Sequence, residues 1–173
     1  MSDLLSLTHF ILDVDGTMTD SGLYFDDTGN ELKRFSIRDF AGVMMAHYVG
    51  IKILIVTGRA CMATKRRAEE MHVDYLFQNV KNKKDFISNF MISNGISKEN
   101  LGYIGDDLND YAAMQLAGFI ACPADACVEI KRLADYVSDV YGGHGVVQDV
   151  FRWLLDNNGR LESFIEDIVK KGY

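Results

Sequence analysis

A chain of 173 residues, 48% hydrophobic and 25% charged, has the composition of one globular domain with a single sizeable core, which excludes disordered and fibrous classes. Its formal net charge of -7 argues against a nucleic-acid or anionic-membrane partner, because both call for a basic footprint. A small phosphate ester stays open as a substrate, since a local positive patch or a bound metal suffices to hold it.

In chain order, residues 9–13 (HFILD) form an apolar run of strand length, and Asp3 and Asp13 bracket the apolar N-terminal stretch, which therefore lacks the form of a leader. Residues 23–25 and 32–35 flank a turn-rich stretch, so a β-hairpin is expected over about 22–36. A helix over 39–48 stops at Gly50, and the β-branched run 51–56 (IKILIV) is a strand. Then follow a helix over 60–71, a strand over 73–77, a helix over 82–94 ended by Gly95, and a strand over 101–104. The rest reads as a helix over 108–117, a strand over 119–121, a helix over 126–133, a strand over 136–138, and helices over 146–156 and 161–171. Alternating strands and helices imply an α/β, Rossmann-like three-layer fold: a parallel sheet, right-handed crossovers and helices on both faces. Ligands in such folds sit beyond the carboxyl ends of the strands, where the strand order reverses. Cys61, Cys122 and Cys127 are odd in number and lack CxxC spacing, so they read as reduced thiols of a cytoplasmic protein.

Four of these strands run into polar groups suited to phosphoryl transfer: Asp13-Val14-Asp15-Gly16-Thr17, Thr57-Gly58-Arg59, the cluster Lys81, Lys83 and Lys84, and Gly105-Asp106-Asp107. The Asp13 carboxylate can attack phosphorus and divide one hard step into two. Asp15 can protonate the leaving alcohol and then take a proton from water. Several carboxylates so close together call for a cation, and Mg2+ suits an oxygen site made by Asp13, Asp106 and the Asp15 backbone carbonyl. Thr57 and one lysine, Lys83 or Lys84, supply a hydroxyl and a positive charge to the transferring oxygens. Gly16, Gly58 and Gly105 are expected to let backbone approach the phosphate. Asp110 is either a further member of the site or a carboxylate placed by the dipole of its helix. The runs Lys65-Arg66-Arg67 and Lys170-Lys171 read as solvated helix faces.

With these four segments in this order, the chain resembles the haloacid dehalogenase superfamily of phosphatases. The resemblance implies a nucleophile at Asp13, an acid/base at Asp15, and Lys83 as the phosphate lysine. Too little chain lies between Asp15 and Asp39, or between residues 60 and 73, to build a cap domain. The capless branch that the chain resembles is the 3-deoxy-D-manno-octulosonate (KDO) 8-phosphate phosphatases, over about residues 10–157. Asp15 to Gly22, the hairpin, Arg38 to Val43, Thr57-Gly58-Arg59, Gly105 to Asp110 and Gly142-Gly143-His144-Gly145 carry that likeness. It implies a homotetramer whose hairpins meet at the centre and whose tail, from about 142, reaches a neighbour's site. It also implies a sugar-acid phosphate held by Thr57, Gly58, Arg59, Lys83, Asp107, Asn109, Arg38 and His144. Paired guanidiniums at Arg38 and Arg59 suit a sugar-acid carboxylate. Phe40, where these enzymes usually carry glycine, and His144, where they usually carry arginine, depart from the pattern. Nonulosonate 9-phosphates are the alternative substrates. A phospho-accepting receiver domain and a non-catalytic oligomerisation module are the readings from other classes.

Overall fold

The computed structural model describes residues 6–172. β1 (His9–Leu12), β4 (Lys52–Val56), β5 (Tyr75–Phe77), β6 (Leu101–Ile104), β7 (Phe119–Cys122) and β8 (Tyr136–Val137) form one parallel sheet in the order β5-β4-β1-β6-β7-β8. β2 (Tyr24–Phe25) and β3 (Glu31–Leu32) form a separate antiparallel hairpin. The helices are α1 (Asp39–Tyr48), α2 (Met62–Glu70), α3 (Lys83–Asn94), α4 (Leu108–Met114), α5 (Val128–Leu133), α6 (Val146–Asn157) and α7 (Leu161–Lys171).

Successive strand residues enter opposite cores, which is why the strands read as continuous apolar runs rather than as alternation. Phe10, Leu12, Ile53 and Ile55 pack with α1, α2, α6 and α7 on one face. Ile11, Leu54 and Val56 pack with α3, α4 and α5 on the other. β1 lies centrally between β4 and β6, and the chain builds outward from it first to one side, then to the other. The crevice for a ligand therefore opens at the carboxyl end of β1. Among the described residues, no helix is long and apolar enough to cross a membrane.

Several elements depart from expectation. The hairpin strands have two residues each, and an isolated bridge between Thr19 and Phe35 closes the hairpin's base. α2 starts at Met62 rather than residue 60, because Cys61 is extended and gives its N–H to Gln78 Oε1 at 2.8 Å. α4 stops at Met114 rather than 117. Leu116 and Ala117 turn back on Ala113 and Met114, and Gly118 then bonds to the Leu101 carbonyl and leads into β7. Arg67 does not belong to a solvated face: its side chain is 13% exposed and donates to the Ser36 carbonyl at 2.9 Å.

Candidate active site

The chain leaves β1 through Asp13, whose N–H still bonds to the Ile104 carbonyl of the neighbouring strand, so the carboxylate is fixed by the sheet itself. It then turns tightly, with the Met18 and Thr19 N–H groups both on the Val14 carbonyl. Gly16 takes φ +95°, and a Cβ there would stand 1.9 Å from Asp106 Oδ2. The Asp106 carboxylate thus occupies the space a side chain at residue 16 would need, and a Cβ at Gly105 would likewise meet Asp110 at 2.8 Å. Thr17 donates its hydroxyl to Asp106 Oδ1 at 3.1 Å, which ties the loop after β1 to the loop after β6.

Lys83 opens α3 behind the Asn82 cap and reaches into the buried space between these loops. Its Nζ lies 2.5 Å from Asp13 Oδ1 and 2.7 Å from Asp110 Oδ1. Lys84 is exposed, so the choice between the two lysines falls on Lys83. Tyr103 on β6 donates its buried hydroxyl to the same Asp110 oxygen at 2.7 Å. Asp110 Oδ2 is buried with no hydrogen-bond partner. Oxygens of Asp13, Asp106 and Asp110 lie within 4.8 Å of one another.

Three carboxylates thus crowd around one ammonium, which bonds to two of them. Burial and the neighbouring Asp110 charge push Asp13 well above the ordinary carboxylate range. The same two causes carry Asp106 up to about 7. Burial opposes the charge on Lys83, but Asp13 and Asp110 outweigh it and hold the ammonium protonated. A hard divalent cation fits this donor set, because it would relieve the excess negative charge and take up the unpartnered Asp110 oxygen.

A second chain of charges runs across the mouth of the crevice. Thr57 at the end of β4 is buried, and its Oγ1 accepts the Arg59 N–H at 3.3 Å. The Gly58 carbonyl accepts from Lys81 at 2.9 Å. The Arg59 guanidinium, expected to be free for a ligand, is forked onto Glu31 of the hairpin at 2.6–3.2 Å. The Arg59 hydrogen bonds hold Glu31 down at about 2. Glu31 also receives Lys33 Nζ at 2.7 Å, and Lys33 donates in turn to the Asp15 carboxylate.

Arg38 and His144 line an open depression with Arg34, Ser36, Asp139, Val140 and Tyr141, and none of Asp13, Asp15, Thr57, Lys83 or Asp106 borders it. Asp107 is exposed and caps α4 by accepting the Leu108 N–H at 2.7 Å, with Asn109 exposed in the next turn. Phe40, in the first turn of α1, is partly buried against the core. Within the single chain, the segment 142–145 packs against the loop after β1. A Cβ at Gly142 would stand 2.0 Å from the Gly16 carbonyl oxygen, and the Gly143 N–H bonds to the Thr17 carbonyl at 3.0 Å. His144 donates from Nδ1 to the Gly142 carbonyl at 2.8 Å and shapes that turn.

Lys33, Glu31, Tyr103 and Thr17 carry no assigned role in the sequence reading. The spacing Glu31-Leu32-Lys33 was the available signal, because period-two alternation puts both charges on one face of a strand. Asp110 stands three and four residues before the buried Ala113 and Met114, a carboxylate on an apolar helix stripe.

A family model for haloacid dehalogenase-like hydrolases matches residues 76–149. The 3-deoxy-D-manno-octulosonate 8-phosphate phosphatase of Escherichia coli K12 is 36% identical over 152 residues, 88% of this chain and 81% of the relative. The solved phosphatase of the same name from Moraxella catarrhalis, in complex with magnesium ion, phosphate ion and KDO, superposes with a TM-score of 0.90 at 28% identity, covering 97% of this chain and 99% of that one. The Yersinia pestis enzyme gives a TM-score of 0.86 at 31% identity, covering 92% and 86%.

Proposed function

Because the chain belongs to the 3-deoxy-D-manno-octulosonate 8-phosphate phosphatase family of haloacid dehalogenase-like hydrolases, we propose that it hydrolyses KDO 8-phosphate to KDO and phosphate with Mg2+ as cofactor. The observation that carries this reading is the buried cluster of Asp13, Lys83, Asp106 and Asp110 beyond the carboxyl end of β1. Asp13 and Asp106, with the Asp15 carbonyl, would hold the metal, and Asp110 stands close enough to orient it or to join it. When bound, the cation supplies positive charge to the phosphoryl oxygens and lets neighbouring carboxylates ionise together.

The chain's own groups divide the remaining work. The Asp13 carboxylate attacks phosphorus, the bond to the sugar oxygen breaks, and an aspartyl-phosphate forms. Lys83, already 2.5 Å from Asp13, meets the phosphoryl oxygens as a fixed cation, and the buried Thr57 hydroxyl donates to them. Asp15 gives its proton to the departing sugar alkoxide, then removes one from the water that cleaves the acyl phosphate and returns Asp13.

Leu23, Tyr24, Phe25, Leu32 and Ile37 are 48–83% exposed on and beside the hairpin. So much apolar surface on one short element supports a homo-oligomer, a tetramer in this reading, assembled through the hairpins. Free cysteines, with no disulfide among the described residues, accord with a cytoplasmic location.

The test is a substrate panel. Purified protein in Mg2+ should turn over KDO 8-phosphate with a kcat/KM at least about tenfold above that for nonulosonate 9-phosphates, a gap worth roughly 1.4 kcal/mol of transition-state binding. Verified removal of the metal should stop turnover, and added Mg2+ should restore it. Preference for a nine-carbon substrate would reassign the sugar. No turnover of any phosphate monoester would favour an oligomerisation module or a receiver domain.

A further inference from the structure

The hairpin carries more than apolar surface. Lys33 emerges from β3 with its side chain 1% exposed, and it spans two carboxylates, Asp15 and Glu31. Glu31 is in turn forked by Arg59, which follows the end of β4. The backbone supports the same contact, since Cys61 Sγ lies 3.3 Å from the Glu31 carbonyl. A line of alternating charge, Arg59–Glu31–Lys33–Asp15, therefore runs from the sheet through the hairpin to the loop after β1.

Asp15 needs such a constraint. Unlike Asp13, whose side chain is 3% exposed, the Asp15 side chain is 29% exposed, and its only hydrogen bond among the described residues is the one from Lys33. A carboxylate on an open loop has several rotamers of similar energy, and proton transfer requires one of them. Long flexible lysines on surfaces contribute little to stability. This one is enclosed and pinned from two sides, so its geometry is set before substrate arrives.

We infer that Lys33 is a positioning residue for phosphate-ester cleavage: it acts through Asp15, holding that carboxylate in the orientation that delivers a proton to the leaving oxygen, and is itself held by Glu31 and Arg59. The inference rests on Asp15 being the acid/base of the proposed reaction. It also gives Arg59 a role that does not need the substrate, namely bracing Glu31.

A leaving-group series tests this without any sugar-acid carboxylate in play. Phosphate monoesters ranging from p-nitrophenyl phosphate to a simple alkyl phosphate are compared by kcat/KM, which reports the steps up to departure of the alcohol. Positioned general acids contribute on the order of 100-fold or more where the leaving group is poor. Lys33→Met is therefore expected to lower kcat/KM about tenfold or more on the alkyl ester and less than about threefold on p-nitrophenyl phosphate. In an Asp15→Asn background the Lys33→Met change should add less than about twofold on the alkyl ester, because both act on one proton transfer. Glu31→Gln should show the same leaving-group dependence in weaker form, and it serves as the probe if Lys33→Met does not fold. A uniform loss across the series, or a Lys33→Met effect that persists in full on Asp15→Asn, overturns the inference. Asp15→Asn that is itself insensitive to the leaving group removes the acid/base reading, and the Lys33 inference falls with it.

Discussion

The buried cluster at the end of β1 and the charge line along the hairpin use the same chemistry under opposite conditions. Asp13 is set by a ladder bond to β6, Lys83 by the first turn of a capped helix, and Asp110 by a helix face, so each group is positioned by an element that the core already requires. Asp15, Lys33, Glu31 and Arg59 depend instead on a hairpin of two-residue strands resting against the end of β4. Such a hairpin is marginal by itself, and its exposed Phe25 and Leu32 leave apolar surface uncovered. Asp13, Lys83 and Asp110, to which we assign the nucleophile, the phosphate lysine and part of the metal site, thus belong to the rigid interior. Asp15, the proposed acid/base, is held instead through Lys33 by a hairpin that assembly is expected to steady.

The strongest way to break this contrast is Asp13→Asn. The amide keeps the volume and leaves Lys83 paired with Asp110, so the fold should survive, with an unchanged circular dichroism spectrum. Turnover of both KDO 8-phosphate and p-nitrophenyl phosphate should fall below detection, because no acyl phosphate forms. Appreciable turnover by this variant would remove Asp13 from the chemistry.

A smaller effect separates the two regions. Tyr24→Asp combined with Leu32→Asp charges one exposed face of the hairpin, the one opposite Glu31, and should shift the protein toward monomer by light scattering. We expect turnover of KDO 8-phosphate to fall by roughly tenfold and that of p-nitrophenyl phosphate by much less, since an activated leaving group needs no proton from Asp15. Equal losses on both esters would mean that the hairpin supports the buried cluster as well, and the contrast would fail.

The same contrast explains what the sequence reveals. Asp13, Thr57, Lys83 and Asp106 are legible because each directly follows a strand or opens the next helix, and strand direction in a parallel sheet carries all of them to one edge. α1, β6 and α7 fall on their expected bounds, with Gly50, Gly105 and Gly172 just past their ends. What sequence spacing does not disclose is which charge meets which across a tertiary gap. Arg59 reads as a free guanidinium because Glu31, its partner, lies 28 residues away on a hairpin whose docking no local pattern encodes. The contact of Gly142 with the loop at Gly16 is equally hidden from local pattern, since the two lie still further apart in the chain.

Asp39 supplies the last and smallest test, a buried carboxylate outside both regions. It begins α1, is fully buried, and accepts the Val147 N–H at 3.0 Å on Oδ1, while its Oδ2 has no hydrogen-bond partner. Among the described residues no lysine bonds to it; the backbone N–H of Val147 and, as a charge only, Arg67 oppose the effect of burial, and the Arg67 Nε is itself unpartnered. Burial therefore dominates and raises Asp39 to about 7. Its ordinary value is 3.8, so between the two the folded protein holds a proton that the unfolded chain has lost. Stability from this group is complete below about pH 4 and declines as pH rises to about 7, by roughly 4 kcal/mol at about 1.4 kcal/mol per pH unit. Asp39→Asn cannot ionise and should lack that decline while leaving p-nitrophenyl phosphate turnover within about twofold, as befits a residue away from the cluster. Urea midpoints for the two proteins, measured in Mg2+ from pH 4 to 8, should diverge as pH rises, with the asparagine variant gaining. Parallel curves would mean that Arg67 neutralises Asp39 in the fold, and that a distant guanidinium suffices where the central cluster uses an enclosed lysine.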